Sequence, residues 1–196
     1  MPLPKPNTYT VEDIYLLPDG QRAELIDGQI YNMAPPSPLH QKLVALFTTA
    51  LQNYIKSKGG SCEVYPAPFA VFLNQDDRNY VEPDISVICD PSKMNDRGCN
   101  GTPDFIIEIV SPSSQRMDYL TKLFKYRTAG VREYWIIDPD QCQVLVYDFS
   151  AAIYPVIYGF DAKIPVAIWD GDCVIDFQEI SDYIHFVYEN DPDGTR

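Results

Sequence analysis

One acidic residue, Glu108, lies inside a run that is otherwise apolar, Phe105-Ile106-Ile107-Glu108-Ile109-Val110. The run predicts a central strand that is covered on both faces, and a carboxylate there must be paired, protonated or bound to a cation. Glu108 also lies near the C-terminal end of the strand, where open α/β sheets place ligands. From the run alone, a functional carboxylate and a core carboxylate satisfied by an arginine or by backbone N–H groups both stay open.

A second acidic residue, Asp84, stands at the entry to the preceding apolar run, Ile85-Ser86-Val87-Ile88-Cys89. If the two runs form adjacent strands, Asp84 and Glu108 meet. Two carboxylates that face one point repel each other unless a cation joins them, and a hard divalent ion such as Mg²⁺ fits oxygen ligands. The alternative for Asp84 is a turn residue after Pro83.

The helix predicted over residues 115–128 places Asp118, Lys122 and Tyr126 on one face, because they are four residues apart. Lys122 borders a broad apolar arc, from which its ammonium can reach a cleft while its stem follows the protein. The alternative is a solvated Asp118–Lys122 pair. The arc consists of Met117, Tyr119, Leu120, Leu123, Phe124 and Tyr126.

The chain has two histidines, and neither has the spacing of a metal ligand. His40 opens the helix that follows Ser37-Pro38, where a contact near the substrate cleft and a packing or capping role both stay open. His185 is predicted to be structural. The serines after Glu108 lack the glycines of a nucleophile elbow, so they are interpreted as a loop and a helix N-cap.

These residues need a sheet and flanking helices to bring them together. Asp27-Gly28 predicts a tight hairpin, and Ser37-Pro38 predicts the start of a helix that ends at Gly59-Gly60. Prolines 66 and 68 make residues 62–73 an edge-strand region. The predicted order is a short helix over Val11–Leu17, the hairpin, a helix, about three strands, the 115–128 helix, strands at 134–137 and 144–147, strand-like pieces near 153–159 and 164–169, and a helix near 178–189.

This order predicts an α/β (α+β) domain with a central mixed sheet flanked by helices, an N-terminal hairpin and C-terminal strand and helix additions. A length of 196 residues suits one domain, predicted over 9–190, with flexible segments at 1–8 and 191–196. Five cysteines without a C-x-x-C pair are interpreted as scattered reduced thiols. The absence of an apolar leader or spanning run predicts a cytoplasmic protein without a membrane partner.

The net charge of −13 by itself argues against a substrate with a phosphate backbone. The charge is uneven, however. Residues 138–196 hold twelve acidic residues against two basic ones, a net charge of −10, whereas residues 116–132 hold five basic residues against Asp118 alone. The proposed site therefore lies beside a locally basic stretch.

Five stretches in this order together resemble the Uma-two family of restriction-endonuclease-like proteins, which is placed in the PD-(D/E)XK nuclease superfamily. The resemblance covers roughly residues 8–185. The stretches are Glu24-Leu25-Ile26-Asp27-Gly28, Pro83-Asp84-Ile85-Ser86-Val87, Glu108-Ile109-Val110-Ser111-Pro112-Ser113-Ser114, Asp118-x-x-x-Lys122-x-x-x-Tyr126-x-x-x-Gly130-Val131, and Glu133-Tyr134-Trp135-Ile136-Ile137-Asp138-Pro139.

The resemblance implies a restriction-endonuclease-like core in which Asp84 is the aspartate of the Pro-Asp motif and Glu108 is the second acid. Both would hold Mg²⁺, with Mn²⁺ as a substitute and the backbone carbonyl of Ile109 as a further ligand. The family lysine two residues after the second acid is absent, because Val110 occupies that place. The resemblance points instead to Lys122 on the following helix.

Further roles follow from the same resemblance. Glu24 would be an additional acid before the core, and Lys125 stands near enough to Lys122 to compete for the role of the catalytic lysine or to bind substrate. Tyr126 would touch substrate or brace Lys122, whereas the substrate contact of His40 rests on its position alone and not on the resemblance. A homodimer is expected, because many nucleases of the superfamily dimerise to cut both strands.

The resulting prediction is a Mg²⁺-dependent endonuclease that hydrolyses DNA phosphodiester bonds, with weak and salt-sensitive DNA affinity. Two alternatives stay open. One is a catalytically silent protein of the same fold that binds DNA or a protein partner. The other is a glycosidase that uses Asp84 and Glu108 as acid and base, without a metal requirement.

Overall fold

A computed structural model of the chain describes residues 8–112 and 114–188. The predicted flexible segments 1–8 and 191–196 lie, apart from Thr8, outside the described residues. In chain order the elements are α1 (Val11–Tyr15), β1 (Ala23–Ile26), β2 (Gln29–Asn32), α2 (Pro38–Lys58), β3 (Glu63–Pro66), β4 (Val71–Phe72), β5 (Ile85–Ile88), β6 (Met94–Asn95), β7 (Gly98–Asn100), β8 (Phe105–Ile109), α3 (Leu123–Ala129), β9 (Glu133–Asp138), β10 (Gln143–Asp148), β11 (Val156–Gly159), β12 (Lys163–Pro165), β13 (Val174–Asp176) and α4 (Phe177–Tyr188). Short 3₁₀ turns cover Pro91–Lys93 and Ala167–Trp169, and a π-helical segment, Met117–Lys122, leads into α3.

The central sheet has six strands in the order β11-β10-β9-β8-β5-β3. Strands β8 and β9 are parallel, and the helical segment before β9 is their crossover, whereas the other neighbours pair antiparallel. The sheet is therefore mixed, as the sequence predicts. Strand β3, which ends at Pro66, lies at an edge of the sheet, where the missing N–H of a proline costs no hydrogen bond to a neighbouring strand.

Helices cover both faces of this sheet. Helix α2 packs on one face through Leu43, Phe47 and Leu51, and the β12–β13 hairpin and the start of α4 join the same core. Tyr126 of α3 packs on the other face against Ile106, Tyr134 and Ile136. The α/β fold class, with central sheet and flanking helices, is confirmed.

Local sequence rules explain how α2 and the first hairpin are held. Ser37 caps α2, since its Oγ accepts a hydrogen bond from the His40 N–H, and Gly59 ends the helix in the left-handed conformation. Asp27 and Gly28 both have positive φ, 51° and 74°, as a two-residue hairpin turn requires. Helix α1 ends at Tyr15, two residues before its predicted end, because Pro18 disfavours a helical residue before it.

The predicted apolar arc on the 115–128 helix packs on the core through Met117, Tyr119, Leu123 and Tyr126, but not through its remaining two members. Leu120 and Phe124 are 62% and 66% exposed, whereas Asp118, Lys122 and Lys125 are buried. The two lysines are buried because they form ion pairs with acidic residues, Lys122 with Glu24 and Glu108 and Lys125 with Asp27. These ion pairs decide which side of the helix is buried, in place of the apolar pattern. The side of the helix that faces the core is thus partly the charged one.

The prediction that all cysteines are reduced is also wrong, because Cys62 and Cys89 form a disulfide. Cys62 precedes β3 and Cys89 follows β5, and the pairing of Glu63 with Ile88 places the two cysteines opposite each other. The prediction of reduced thiols depended on the missing C-x-x-C spacing and on the odd number of cysteines. Neither feature contains information about how strands pair. Cys99, Cys142 and Cys173 are free.

No helix within the described part of the chain is both long and apolar enough to cross a membrane.

Candidate active site

A cleft of about 710 Å³ opens where β5 begins and β8 ends. The antiparallel pairing of Ile85 with Ile107 brings these two strand ends to the same place. Six of the charged side chains that line the cleft come from five parts of the chain, namely β1, the start of α2, the residues before β5, β8 and the π-helical segment. They are Glu24, His40, Asp84, Glu108, Asp118 and Lys122.

Asp84 has one carboxylate oxygen that the protein fixes and one that it leaves available. Its Oδ2 accepts hydrogen bonds from the Ile109 N–H at 2.8 Å and from Nε2 of His40 at 3.0 Å. Its Oδ1 has no hydrogen bond to any described residue. Asp84 is therefore held against β8 rather than acting as a free turn residue.

Glu108 divides its two oxygens in the same way. Its Oε1 accepts from Lys122 Nζ at 2.9 Å and from the Tyr126 hydroxyl at 2.6 Å. Its Oε2 meets only the Asp84 N–H, at a long 3.4 Å. Burial raises the pKa of the Glu108 carboxyl well above its usual range, although the Lys122 charge works against this rise.

Lys122 is a buried cation held between two carboxylates. Its side chain is only 6% exposed, and Nζ lies 2.9 Å from Oε1 of Glu24 and 2.9 Å from Oε1 of Glu108. Burial alone would lower the pKa of Lys122, but the surrounding carboxylates raise it well above its ordinary value. The alternative of a solvated Asp118–Lys122 pair is excluded by this burial, and Nζ is 3.8 Å from Oδ1 of Asp118.

Glu24 enters the site from β1 and is itself buried. Its Oε1 lies 2.9 Å from Lys122 Nζ in an ion pair and accepts a hydrogen bond from the Glu82 N–H at 3.0 Å. The N-terminal hairpin is thus tied to the sheet end through this carboxylate. The structure brings Glu24, Asp84, Glu108 and Lys122, four of the residues singled out from the sequence, to one place.

Two other predicted residues lie differently. Tyr126 is fully buried and contacts Glu108 from beneath, so it braces the carboxylate and does not line the cleft. Lys125 forms an ion pair with Asp27 in the hairpin turn, away from the cluster. The structure therefore does not bring Lys125 to the site.

His40 lies at the wall of the cleft, with its ring against Asp84. Burial by itself lowers the pKa of His40, but the hydrogen bond and charge of Asp84 outweigh it, so the pKa is raised overall. The Ile109 carbonyl contributes to the rise. His40 therefore lies close to two groups that the resemblance assigns to the metal.

Asp118 joins the cluster although it was not among the predicted site residues. Burial raises the pKa of its carboxyl to about 6, against the lowering effects of Lys122 and of a hydrogen bond from Ser114. Its position four residues before Lys122 was the available indication, but an exposed helical pair has the same spacing.

Asp118→Asn is expected to flatten part of the pH dependence of stability. Because the folded pKa lies above the unfolded one, the carboxyl's contribution is complete below about pH 4 and is lost as the pH rises through 6. Between pH 4 and pH 7.5 the free energy of unfolding of the wild type should fall by about 2–3 kcal/mol more than that of the variant. Urea unfolding across this range measures the difference.

The matched control is Asp19→Asn, at an exposed turn residue. Its unfolding free energy should follow the wild-type pH dependence. Parallel curves for Asp118→Asn and the wild type would contradict a raised pKa at Asp118.

The site fits a metal ion that takes only one or two ligands from protein carboxylates. Within the described ranges, no group of three or more His, Cys, Asp or Glu side chains is arranged to hold a metal ion. Mg²⁺, however, keeps several waters and is usually bound through one or two carboxylates plus substrate phosphate. Oδ1 of Asp84 and Oε2 of Glu108 are the two carboxylate oxygens that meet this description.

The fold and this carboxylate–lysine cluster define a nuclease-like α/β protein. A crystal structure titled as a "putative nuclease belonging to DUF820", from Anabaena variabilis, has the same fold with a TM-score of 0.72 and 20% identity, covering 89% of this chain and 98% of the other. An uncharacterized protein of Synechocystis is 27% identical over 128 residues, which are 65% of this chain and 66% of that protein.

Residues 11–157 match the model of the Uma2 family, described as "Putative restriction endonuclease". The chain belongs to this family. The resemblance to the Uma-two family is thereby confirmed, and family and fold together support a nuclease.

Proposed function

We propose that the protein is a Mg²⁺-dependent endonuclease that hydrolyses DNA phosphodiester bonds. One observation carries this proposal. Asp84 and Glu108 line the same cleft, and each commits one oxygen to short hydrogen bonds within the chain, while the second oxygen of Asp84 has no hydrogen bond to a described residue and that of Glu108 has only a long one, at 3.4 Å, from the Asp84 N–H. Such a division orients two carboxylates toward a shared cation while the remaining lone pairs are satisfied.

The residues that would hold the ion are Asp84, Glu108 and the backbone carbonyl of Ile109, with Mn²⁺ as a substitute. A bound ion of this kind polarises a phosphate oxygen and makes its coordinated water more acidic. The chain's own groups supply the rest of the chemistry.

Lys122 is the chain's charged donor in the proposed reaction. An ammonium has three N–H donors; Lys122 donates one to Glu108 and forms an ion pair with Glu24, which leaves at most two of its donors engaged. The third is left to orient the attacking water or to stabilise negative charge on the phosphorane. Glu24 keeps Lys122 charged and fixed, and Tyr126 keeps Glu108 in place.

The cleft has little charge of its own to attract DNA. The cations that line it in the described chain are Arg22, His40 and Lys122, and Arg22 pairs with Glu82 as the other two pair with the acidic cluster. DNA binding should therefore be weak, salt-sensitive and dependent on the divalent ion. This accords with the net charge of −13.

The test is incubation of the purified protein with plasmid and with single-stranded DNA, in Mg²⁺, in Mn²⁺ and in EDTA. We expect cleavage in either metal and none in EDTA. An Asp84→Asn preparation, purified identically, should be inactive and thus excludes a contaminating nuclease.

Two outcomes would contradict the proposal. Cleavage that is equal in EDTA, or in the Asp84→Asn preparation, would remove the metal and the site from the reaction. DNA binding without any cleavage would favour the catalytically silent module. Light scattering on the same preparation tests the expected homodimer.

A further inference from the structure

One side-chain hydrogen bond ties the His40 ring to the site. It lies in the first turn of α2, where Ser37 already caps the helix by accepting its backbone N–H. Capping is thus performed by another residue. Among the described residues, the ring makes one hydrogen bond, from Nε2 to Oδ2 of Asp84, and its Nδ1 is buried without a partner.

The consequence of this contact falls on Asp84. Oδ2 receives two donors from two different elements, the His40 ring from α2 and the Ile109 N–H from β8. A carboxylate held at one oxygen from two directions cannot rotate freely, so its other oxygen keeps one orientation. With Ile109 alone, the carboxylate could turn about that single hydrogen bond.

We propose that His40 is a positioning residue that acts through Asp84, fixing Oδ1 for a divalent cation, and that it is not a substrate contact. This inference rests on the proposed function, because it assumes that Asp84 is a ligand. It replaces the contact near the substrate cleft that the sequence left open for His40. Groups that orient a metal ligand in this way typically change metal affinity 10–100-fold when they are removed, on the order of one to two decades.

The experiment measures Mn²⁺ binding to the full chain by electron paramagnetic resonance, without DNA. Four variants are compared with the wild type. His40→Ala removes the donor, His40→Gln restores an N–H donor at about the position of Nε2, Asp84→Asn removes the ligand, and His185→Ala removes the other histidine, which is exposed on α4.

We expect His40→Ala to weaken Mn²⁺ binding by about 10–100-fold and His40→Gln to recover most of the loss. His185→Ala should bind Mn²⁺ like the wild type. Urea unfolding of each variant separates a change in the fold from a change in the site, because rescue by glutamine requires the hydrogen bond and not the ring's packing.

The failures are distinguishable. If the wild type binds Mn²⁺ and Asp84→Asn does not, but His40→Ala binds like the wild type, the metal site stands and the role of His40 is overturned. An equal loss in His40→Ala and His40→Gln also overturns it. If the wild type shows no Mn²⁺ binding, the proposed function fails, and this inference fails with it.

Discussion

Glu108→Gln is expected to reduce metal-dependent DNA cleavage by at least about a thousand-fold while the fold persists. The glutamine carbonyl can accept the hydrogen bonds that Lys122 and Tyr126 donate to Oε1. The amide NH₂ group then stands in place of Oε2, and it is a donor that cannot bind a cation. Lost charge stabilisation of about 4 kcal/mol corresponds to three decades of rate.

Single-turnover cleavage of plasmid in Mn²⁺ measures this effect, and urea unfolding of the same preparations measures the fold. Because glutamine is uncharged, it removes a carboxylate that burial already disfavours, and the unfolding free energy should stay within about 1–2 kcal/mol of the wild type. Glu179→Gln, at an exposed position of α4, is the matched control and should cleave normally. Cleavage by Glu108→Gln within tenfold of the wild type would remove Glu108 from the site.

The elements that position the site were predictable because each depends on short-range patterns. The apolar run around Glu108 required a buried strand, and Asp27-Gly28 required a tight turn. Asp84 and Glu108 could be paired because strands that are near in sequence often lie side by side, and β5 and β8 do so although the short β6 and β7 lie between them in the chain. The resemblance then added Glu24 and assigned the catalytic role to Lys122, and no local pattern connects these two residues.

The burial of Lys122 was not predictable from its neighbours in the sequence. Asp118 and Lys122 have the spacing of an exposed ion pair and of a buried one alike. The burial results from Glu24 and Glu108, which reach the helix from two strands that are distant in sequence. The π-helical segment Met117–Lys122 was not predictable either, since nothing in its composition distinguishes it from an α-helix.

The disulfide shows a second limit of sequence patterns. Its formation depends on the exact pairing of β3 with β5, and strand register is a tertiary property. The exposure of Leu120 and Phe124 has a related cause, because a helix buries the face that its partner requires. Apolar periodicity alone places Leu120 and Phe124 inside and Lys122 at the border, which an acidic partner cluster reverses.

Lys122→Met is expected to be the most destabilising single substitution in the site, by about 3–5 kcal/mol at pH 7.5. Methionine matches the length of the lysine stem but leaves Glu24 and Glu108 buried without their counter-charge. Urea unfolding measures the loss. Lys163→Met is the control, because its ammonium pairs with Asp176 at 2.8 Å on the surface and its side chain is 72% exposed. This control should change stability by less than about 1 kcal/mol.

The pH dependence identifies the cause of that loss. Burial raises the pKa of Glu108 in the folded state, and removal of Lys122 raises it further, since the cation opposes the rise. A carboxyl whose folded pKa exceeds its unfolded pKa stabilises the fold at low pH and loses that contribution as the pH rises. The difference in unfolding free energy between Lys122→Met and the wild type should therefore become smaller as the pH is lowered from 7.5 to 5. Adding Glu108→Gln to Lys122→Met removes one of the stranded charges, so the double variant should be more stable than Lys122→Met alone. Two results together would mean that the buried ammonium does not neutralise these carboxylates. The first is a difference in unfolding free energy that stays constant with pH, and the second is a loss in the double variant that equals the sum of the losses in the two single variants.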